Sequence, residues 1–264
     1  MQQRRLVFVL AFAVLVPSHL LGQVNASGCP AGSVVPPPTG MVAWWPLGES
    51  TGSTVSDASG NSHDGSTRAG PIGAPGSPKS VPGFVTGALY FSQNSYVRVQ
   101  PGVNFGTGDF SIDAWIKTTA FPPIVNNMGL FGGYRLYINA SHQLVLQLGL
   151  TTIGAVTVIG PSISSGQWNF VGVVVNRSTS KVSFYSKVAG SSGPLVPVMV
   201  FQNFAGVSAT SSQPLDIGRA AGPPLAGITI DELELFNRVV TSEEFRSIFA
   251  AGPKGKCWGT INPH

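Results

Sequence analysis

Residues 109–117 alternate without a break. Phe110, Ile112, Ala114 and Ile116 fall on one side, and Ser111, Asp113, Trp115 and Lys117 on the other. A period of two is the signature of a half-buried strand, and a helix cannot gather those residues on one face. Similar runs recur at short intervals. Residues 41–46 carry large side chains on both faces, so that strand is expected to be covered on both sides. Residues 88–91 and 96–100 read as strands about a hairpin-type break at Asn94-Ser95, and 134–139 and 143–148 as a hairpin about Ala140-Ser141. Runs at 166–176, 181–187, 196–201 and 214–218 follow, with no helical period between them. The 33 glycines and 21 prolines suit many tight turns. Residues 71–83, with four prolines, read as irregular. The pattern implies an all-β chain folded as an antiparallel sandwich.

One helix closes it. Thr241 can cap the N-terminus with Glu244 as its capping-box partner, and Val240 and Phe245 can clamp the cap from outside. Phe245, Ile248 and Phe249 share a face, and Gly252-Pro253 ends the helix.

The start of the chain reads as a leader. Arg4 and Arg5 precede an apolar run at 6–16, which is shorter than the roughly 20 residues that cross a bilayer and fits a secretory signal. Cleavage after Gly22 or Ala26 fits, which assigns 1–26 to the signal and 27–40 to a Pro/Gly-rich arm. Removing the two arginines takes the net charge from +4 to about +2. With 10% charged residues and no basic run, the chain lacks the phosphate-neutralising patch of a nucleic-acid binder. No later segment is apolar enough to span a membrane. Cys29 and Cys257, one near each end, read as a disulfide in an exported protein. The alternative is a lipid-bearing Cys29, since Ala26-Ser27-Gly28-Cys29 loosely resembles a lipobox.

Several motifs occur in a fixed order: Val42-Ala43-Trp44-Trp45-Pro46-Leu47, then Asp57-Ala58-Ser59-Gly60-Asn61, then Gly87-Ala88-Leu89-Tyr90-Phe91. Phe110-Ser111-Ile112-Asp113-Ala114-Trp115-Ile116, Gly166-Gln167-Trp168-Asn169-Phe170-Val171 and Ile230-Asp231-Glu232-Leu233-Glu234-Leu235-Phe236-Asn237-Arg238 complete the set. Over 41–252 the chain resembles the LamG-like jelly-roll domains of the concanavalin A-like lectin/glucanase superfamily, leaving 253–264 as a tail with Cys257. The resemblance implies a jelly-roll sandwich. That fold hosts lectins, adhesion modules, hydrolases and spacers alike, so it does not choose an activity.

Laminarinase-type hydrolases of this architecture carry two glutamates either side of an aspartate on one strand, and retaining glycosidases hold two carboxyls roughly 5–5.5 Å apart. The nearest match is 229–234, where Thr229 stands in the first glutamate's place. On strict alternation Asp231 and Glu234 point to opposite faces, while Glu232 and Glu234 share one. No catalytic residue is assigned. By the same resemblance, calcium in related jelly rolls pins the loop after the first strand to the last strand. Asp231, Asp57 and Asn61 would then be its ligands and the ion structural. The competing reading makes Asp231 an acceptor of backbone N–H groups and 57–60 an Asx-type turn. For a sugar-stacking face the candidates are Trp115, Tyr134 and Tyr137 with Asn139 alongside, against the competing role of packing the core. The expected function is a secreted, non-catalytic module that binds carbohydrate or a cell-surface or matrix partner. The alternatives are a spacer without a small ligand and a divergent glycoside hydrolase.

Overall fold

The computed structural model describes residues 36–256, apart from 70–77, 93–94, 131, 152–153, 205 and 220–226. The proposed signal segment, Cys29 and Cys257 lie outside the described residues. Among these, two eight-stranded antiparallel sheets face each other, with strands numbered in chain order. The first sheet carries β1 (Met41–Trp45), β4 (Lys79–Pro82), β5 (Gly87–Phe91), β7 (Phe110–Thr118), β12 (Trp168–Asn176), β13 (Lys181–Val188), β14 (Val198–Phe201) and β16 (Ile228–Phe236). The second carries β2 (Thr54–Val55), β3 (Gly65–Ala69), β6 (Ser95–Val99), β8 (Pro123–Asn126), β9 (Tyr134–Ile138), β10 (Gln143–Thr151), β11 (Gly154–Ser162) and β15 (Leu215–Ile217). Their orders are β14-β13-β12-β7-β16-β5-β4, with β1 also on β16, and β11-β10-β9-β8-β15-β6-β3-β2. This is the all-β jelly-roll sandwich the pattern implied.

Alternation decides what fills the space between the sheets. Phe110, Ile112, Ala114 and Ile116 of β7 meet Leu136 and Ile138 of β9 and Leu144 and Leu146 of β10 in one buried core. The opposite face of β7 is buried too, beneath helix α1 (Ser242–Ala251). Thr241 caps that helix, and the reciprocal bonds with Glu244 are both present. Phe245 and Ile248 press onto Trp115, Phe170, Tyr185 and Phe236, with the Phe245 ring 4.9 Å from Tyr185 and 5.8 Å from Phe170, edge to face in both cases. Gly172 makes the approach possible, because a Cβ there would come within 3.0 Å of the Phe245 ring. Ser111 fastens the strand to the segment entering the helix: its Oγ donates to Arg238 O (2.8 Å) and accepts from Val240 N (2.9 Å).

Three expectations change. The strands either side of 93–94 do not pair: β5 joins β4 and β16, whereas β6 joins β3 and β15 in the other sheet, so the chain crosses the sandwich there. The proline-rich stretch contains a regular strand after all, since β4 is an edge strand and its proline needs no ladder donor. Strands β8 and β11, and the two-residue β2, carry too little alternation to stand out in the sequence.

Phe245→Ala would strip the helix of its central contact and leave a cavity against Phe170 and Tyr185. We expect a loss of about 3–5 kcal/mol in unfolding free energy, read from urea denaturation followed by tryptophan fluorescence.

Candidate functional site

Two outer faces remain, one per sheet. On the first, β16 departs from a regular strand: its register against β7 shifts between Asp231 and Glu234, and Glu232 has φ of +55°. This bulge adds a residue and resets the alternation. Ile228, Ile230, Leu233 and Leu235 all face the core. Asp231 stands opposite Trp115 and Glu234 opposite Asp113 on the other face. The sequence reading that set Asp231 and Glu234 on opposite faces fails for this reason.

The clustered carboxyls are nonetheless sealed. Asp113, Asp231, Glu232 and Glu234 are all buried, and so is Lys256, whose Nζ lies 2.7 Å from Glu232 Oε2 and contacts Glu234 Oε1. Trp44 Nε1 donates to Glu232 Oε2 (3.2 Å). Burial pushes Asp231 and Glu234 up to about 7 and Asp113 well above its usual range, with the Glu234 charge adding to the effect on Asp113. Burial alone would weaken the Lys256 ammonium, but Glu234, Glu232 and Asp113 more than offset it and raise its pKa. The cluster thus ties the segment after the helix to the sheet, without an open pair of carboxyls.

The residues read as calcium ligands are held by backbone donors. Asp57 Oδ1 accepts from Trp44 N and Ser59 N, and its Oδ2 from His63 N, each at 2.9 Å. Asn61 turns its Nδ2 donor toward Met41 O and Val42 O at 3.0 Å. Asp231 Oδ2 accepts from Phe84 N (2.7 Å) and Val85 N (2.8 Å), on a different turn. Asp57 and Asn61 are thereby tied to the first strand, and Asp231 to the turn at 84–85 with its Oδ1 buried and without a hydrogen-bond partner. Among the described residues no group of three or more Asp, Glu, His or Cys is arranged to hold a metal.

Of the residues read as a ligand face, Trp115 is 2% exposed beneath Phe84 and Phe249, and Tyr134 is buried in the core with its hydroxyl on Val103 O (3.1 Å). Both are corrected to packing roles, because the faces they occupy are covered. Asn139 closes the β9–β10 turn, its Oδ1 accepting from Ser141 N and Gln143 N. Tyr137 alone reaches the outer face of the second sheet.

That face is polar, with most of its side chains half-buried and Thr157 exposed. Strand register lines up Ser66, Arg98, Asp216, Asn126, Arg135, Gln147 and Thr157 as directly opposed neighbours from β3 to β11. At about 4.8 Å per strand the row is roughly 29 Å long. Arg98 grips Asp216 with two bonds (2.8 and 2.9 Å), and Arg219 adds a third (2.6 Å). The Asp216 bond raises the Arg98 pKa further. Arg135 Nη2 donates to Gln147 Oε1 (2.5 Å), and Gln147 Nε2 to Thr157 Oγ1 (3.1 Å). Arg98 and Arg219 lie 5.2 and 4.8 Å from the Tyr96 ring centre, and Arg135 lies 4.4 Å from that of Tyr137. The sequence does contain a signal for this: Tyr96-Val97-Arg98 and Arg135-Leu136-Tyr137 place Tyr and Arg two apart, outward of an apolar residue, on two strands.

A laminin-G-like sequence profile, described as concanavalin A-like lectin/glucanase, matches residues 91–246, more than half the chain. The chain belongs to the concanavalin A-like lectin/glucanase superfamily. Solved structures of similar shape include binding domains. The binding domain of Paraclostridial Mosquitocidal Protein 1 superposes with a TM-score of 0.60 at 16% identity over 80% of this chain and 52% of that one. The binding domain of botulinum neurotoxin DC, in complex with SialylT, gives 0.59 at 14% over 81% and 52%. This chain therefore spans about half of those toxin domains. Domain 4 of AbnA, a GH43 extracellular arabinanase from Geobacillus stearothermophilus in complex with arabinotriose, gives 0.52 at 19% over 78% and 96%. At these identities the likeness is one of fold alone. No curated protein sequence matches significantly.

The buried carboxyls set the pH response. Asp113, Asp231 and Glu234 hold protons in the folded state that they release when unfolded, so stability falls as pH rises from about 4 to about 7. Glu244, held at about 2 by its Arg238 bonds, acts oppositely and loses its contribution as pH drops below its unfolded value. We expect the melting temperature to peak near pH 4 and to decline above it, and Asp113→Asn to flatten the decline toward pH 8. Lys256→Met, which strands Glu232 and Glu234 without a cation, is expected to cost about 3–5 kcal/mol at pH 7. Calorimetry across pH checks all three.

Proposed function

We propose that this chain is an exported, non-catalytic binding module that takes carbohydrate on the outer face of its second sheet. The observation carrying this reading is the row from Ser66 to Thr157. It supplies paired donors and acceptors of the kind that match sugar hydroxyls, on rigid strands, beside Tyr96 and Tyr137. The first sheet's outer face is filled by α1 and by Lys256, which leaves the second as the polar surface available to a ligand. The arabinotriose complex of the arabinanase domain and the SialylT complex of the neurotoxin domain are consistent with a sugar-binding role for this shape. The sealed carboxyls argue against hydrolysis, since a substrate cannot reach them.

The test is a glycan array on the full chain. Tyr137→Ala is expected to weaken the strongest signal at least tenfold with little change in melting temperature, while Trp115→Phe leaves binding intact in folded protein. Flat signal across the array would overturn the reading.

A protein partner is the second reading, supported by the β14 edge, where Val198, Met199 and Phe201 are 47, 60 and 76% exposed. Unpaired edge strands with such side chains invite strand addition. It predicts self-association or complex formation in sedimentation that Phe201→Asp abolishes.

A further inference from the structure

We infer that the ligand of the second sheet's outer face is an acidic oligosaccharide, bearing at least two carboxylate or sulfate groups; this rests on the carbohydrate reading above. Charge is the first ground. Arg68, Arg98, Arg135 and Arg219 belong to this face or its rim, and the acid in the same rows is Asp216, already bound by two of them. The face is cationic although the whole chain is only modestly so.

The second ground is a guanidinium without an anion. Arg135 donates Nη2 to the neutral amide of Gln147 and makes no ion pair with a carboxylate among the described residues. An anionic oxygen at the outer edge of that guanidinium would gain a charge-assisted bond that Gln147 does not supply.

The third ground concerns the tyrosines. A sugar that recognises a ring by its C–H face needs that ring bare. Here Tyr137 is capped by Arg135, and Tyr96 has Arg98 and Arg219 upon it. The ligand therefore meets guanidinium planes held flat by aromatic rings, a surface suited to planar carboxylates and sulfates.

Spacing then fixes the size. Arg98 and Arg135 share one row and are separated by β15 and β8, so they stand three strand intervals apart, about 14 Å. One acidic sugar does not reach both. An oligomer with repeated acidic groups does, and binding is expected to strengthen sharply once its length bridges the two.

Binding of the full chain to oligogalacturonates of two to six residues, to their methyl esters and to a heparin hexasaccharide tests this by calorimetry. We expect the hexagalacturonate to bind at least tenfold tighter than its methyl ester and than the dimer, with affinity falling as salt screens the charges. Arg135→Gln, checked for folding by its melting curve, should lose about tenfold for the acid form and nothing for the ester. Heparin binding with galacturonate ignored would assign the anion as sulfate and uphold the inference. Equal binding of acid and ester, unaffected by Arg135→Gln, would overturn it while leaving the carbohydrate reading intact. If neither acidic nor neutral glycans bind, both fall. Tight binding of poly-glutamate matching that of hexagalacturonate would also overturn it, since the face would then select charge without sugar.

Discussion

The left-handed backbone of Glu232 decides how the last strand serves both sides of its sheet. β16 carries β7 along one edge, with β5 and then β1 along the other, and the bulge lies near the junction of those two. Had the alternation run on unbroken, Glu232 and Glu234 would have followed Ile228 and Ile230 into the core, and Leu233 and Leu235 would have turned outward. One extra residue prevents this. The conformation costs of the order of 1–3 kcal/mol, and Glu232 is held in it by Lys256 and Trp44 from two other segments. The bulge and the buried ion cluster are thus one arrangement: the first brings the acids to the outer face, and the second makes their burial tolerable.

That arrangement also explains why the two sheets differ in their outer faces. The helix is short, and it reaches full burial of Phe245 only because β12 offers Gly172 beneath it and Trp115 beside it. With the 252–256 segment clamped by the acids, the first sheet is covered from β12 to β1. Among the described residues, no helix lies over the second sheet. Its outward positions are filled by Arg, Tyr, Asn and Gln, whose stems cover apolar backbone while their polar ends remain available.

Much of the architecture was legible in local pattern, and the reasons for the exceptions are specific. Residues 109–117 and 241–252 announce their structure because period and capping are properties of neighbours in sequence. The crossing between β5 and β6 could not be read, since two strands flanking a turn look alike whether or not they pair. The parity of Asp231 and Glu234 was misread because a bulge needs only one residue with positive φ, and Glu carries no mark of it. Trp115 and Tyr134 are large aromatics on alternating strands, and nothing in their neighbourhood tells a covered outer face from an open one. The polar row of the second sheet escaped notice for the deepest reason. Its seven residues come from seven strands, and only the order β3-β6-β15-β8-β9-β10-β11 makes them adjacent.

Rigidity is what suits that adjacency to the recognition proposed for it. Arginine is a flexible side chain whose immobilisation normally opposes binding by roughly 0.5–1.5 kcal/mol. On this sheet the cost is already met in the free protein. Arg98 is fixed by two bonds to Asp216 and by the Tyr96 ring, and Arg135 by Gln147 and the Tyr137 ring. Asp216 does not cancel the positive face, because one carboxylate shared by two guanidinium groups leaves one charge uncompensated. Tyr137, read from sequence as a stacking platform for sugar, backs Arg135 instead, and Tyr96 does the same for Arg98 and Arg219. On the proposed reading, recognition on this face rests on the arginines, with the aromatic rings supporting them from behind.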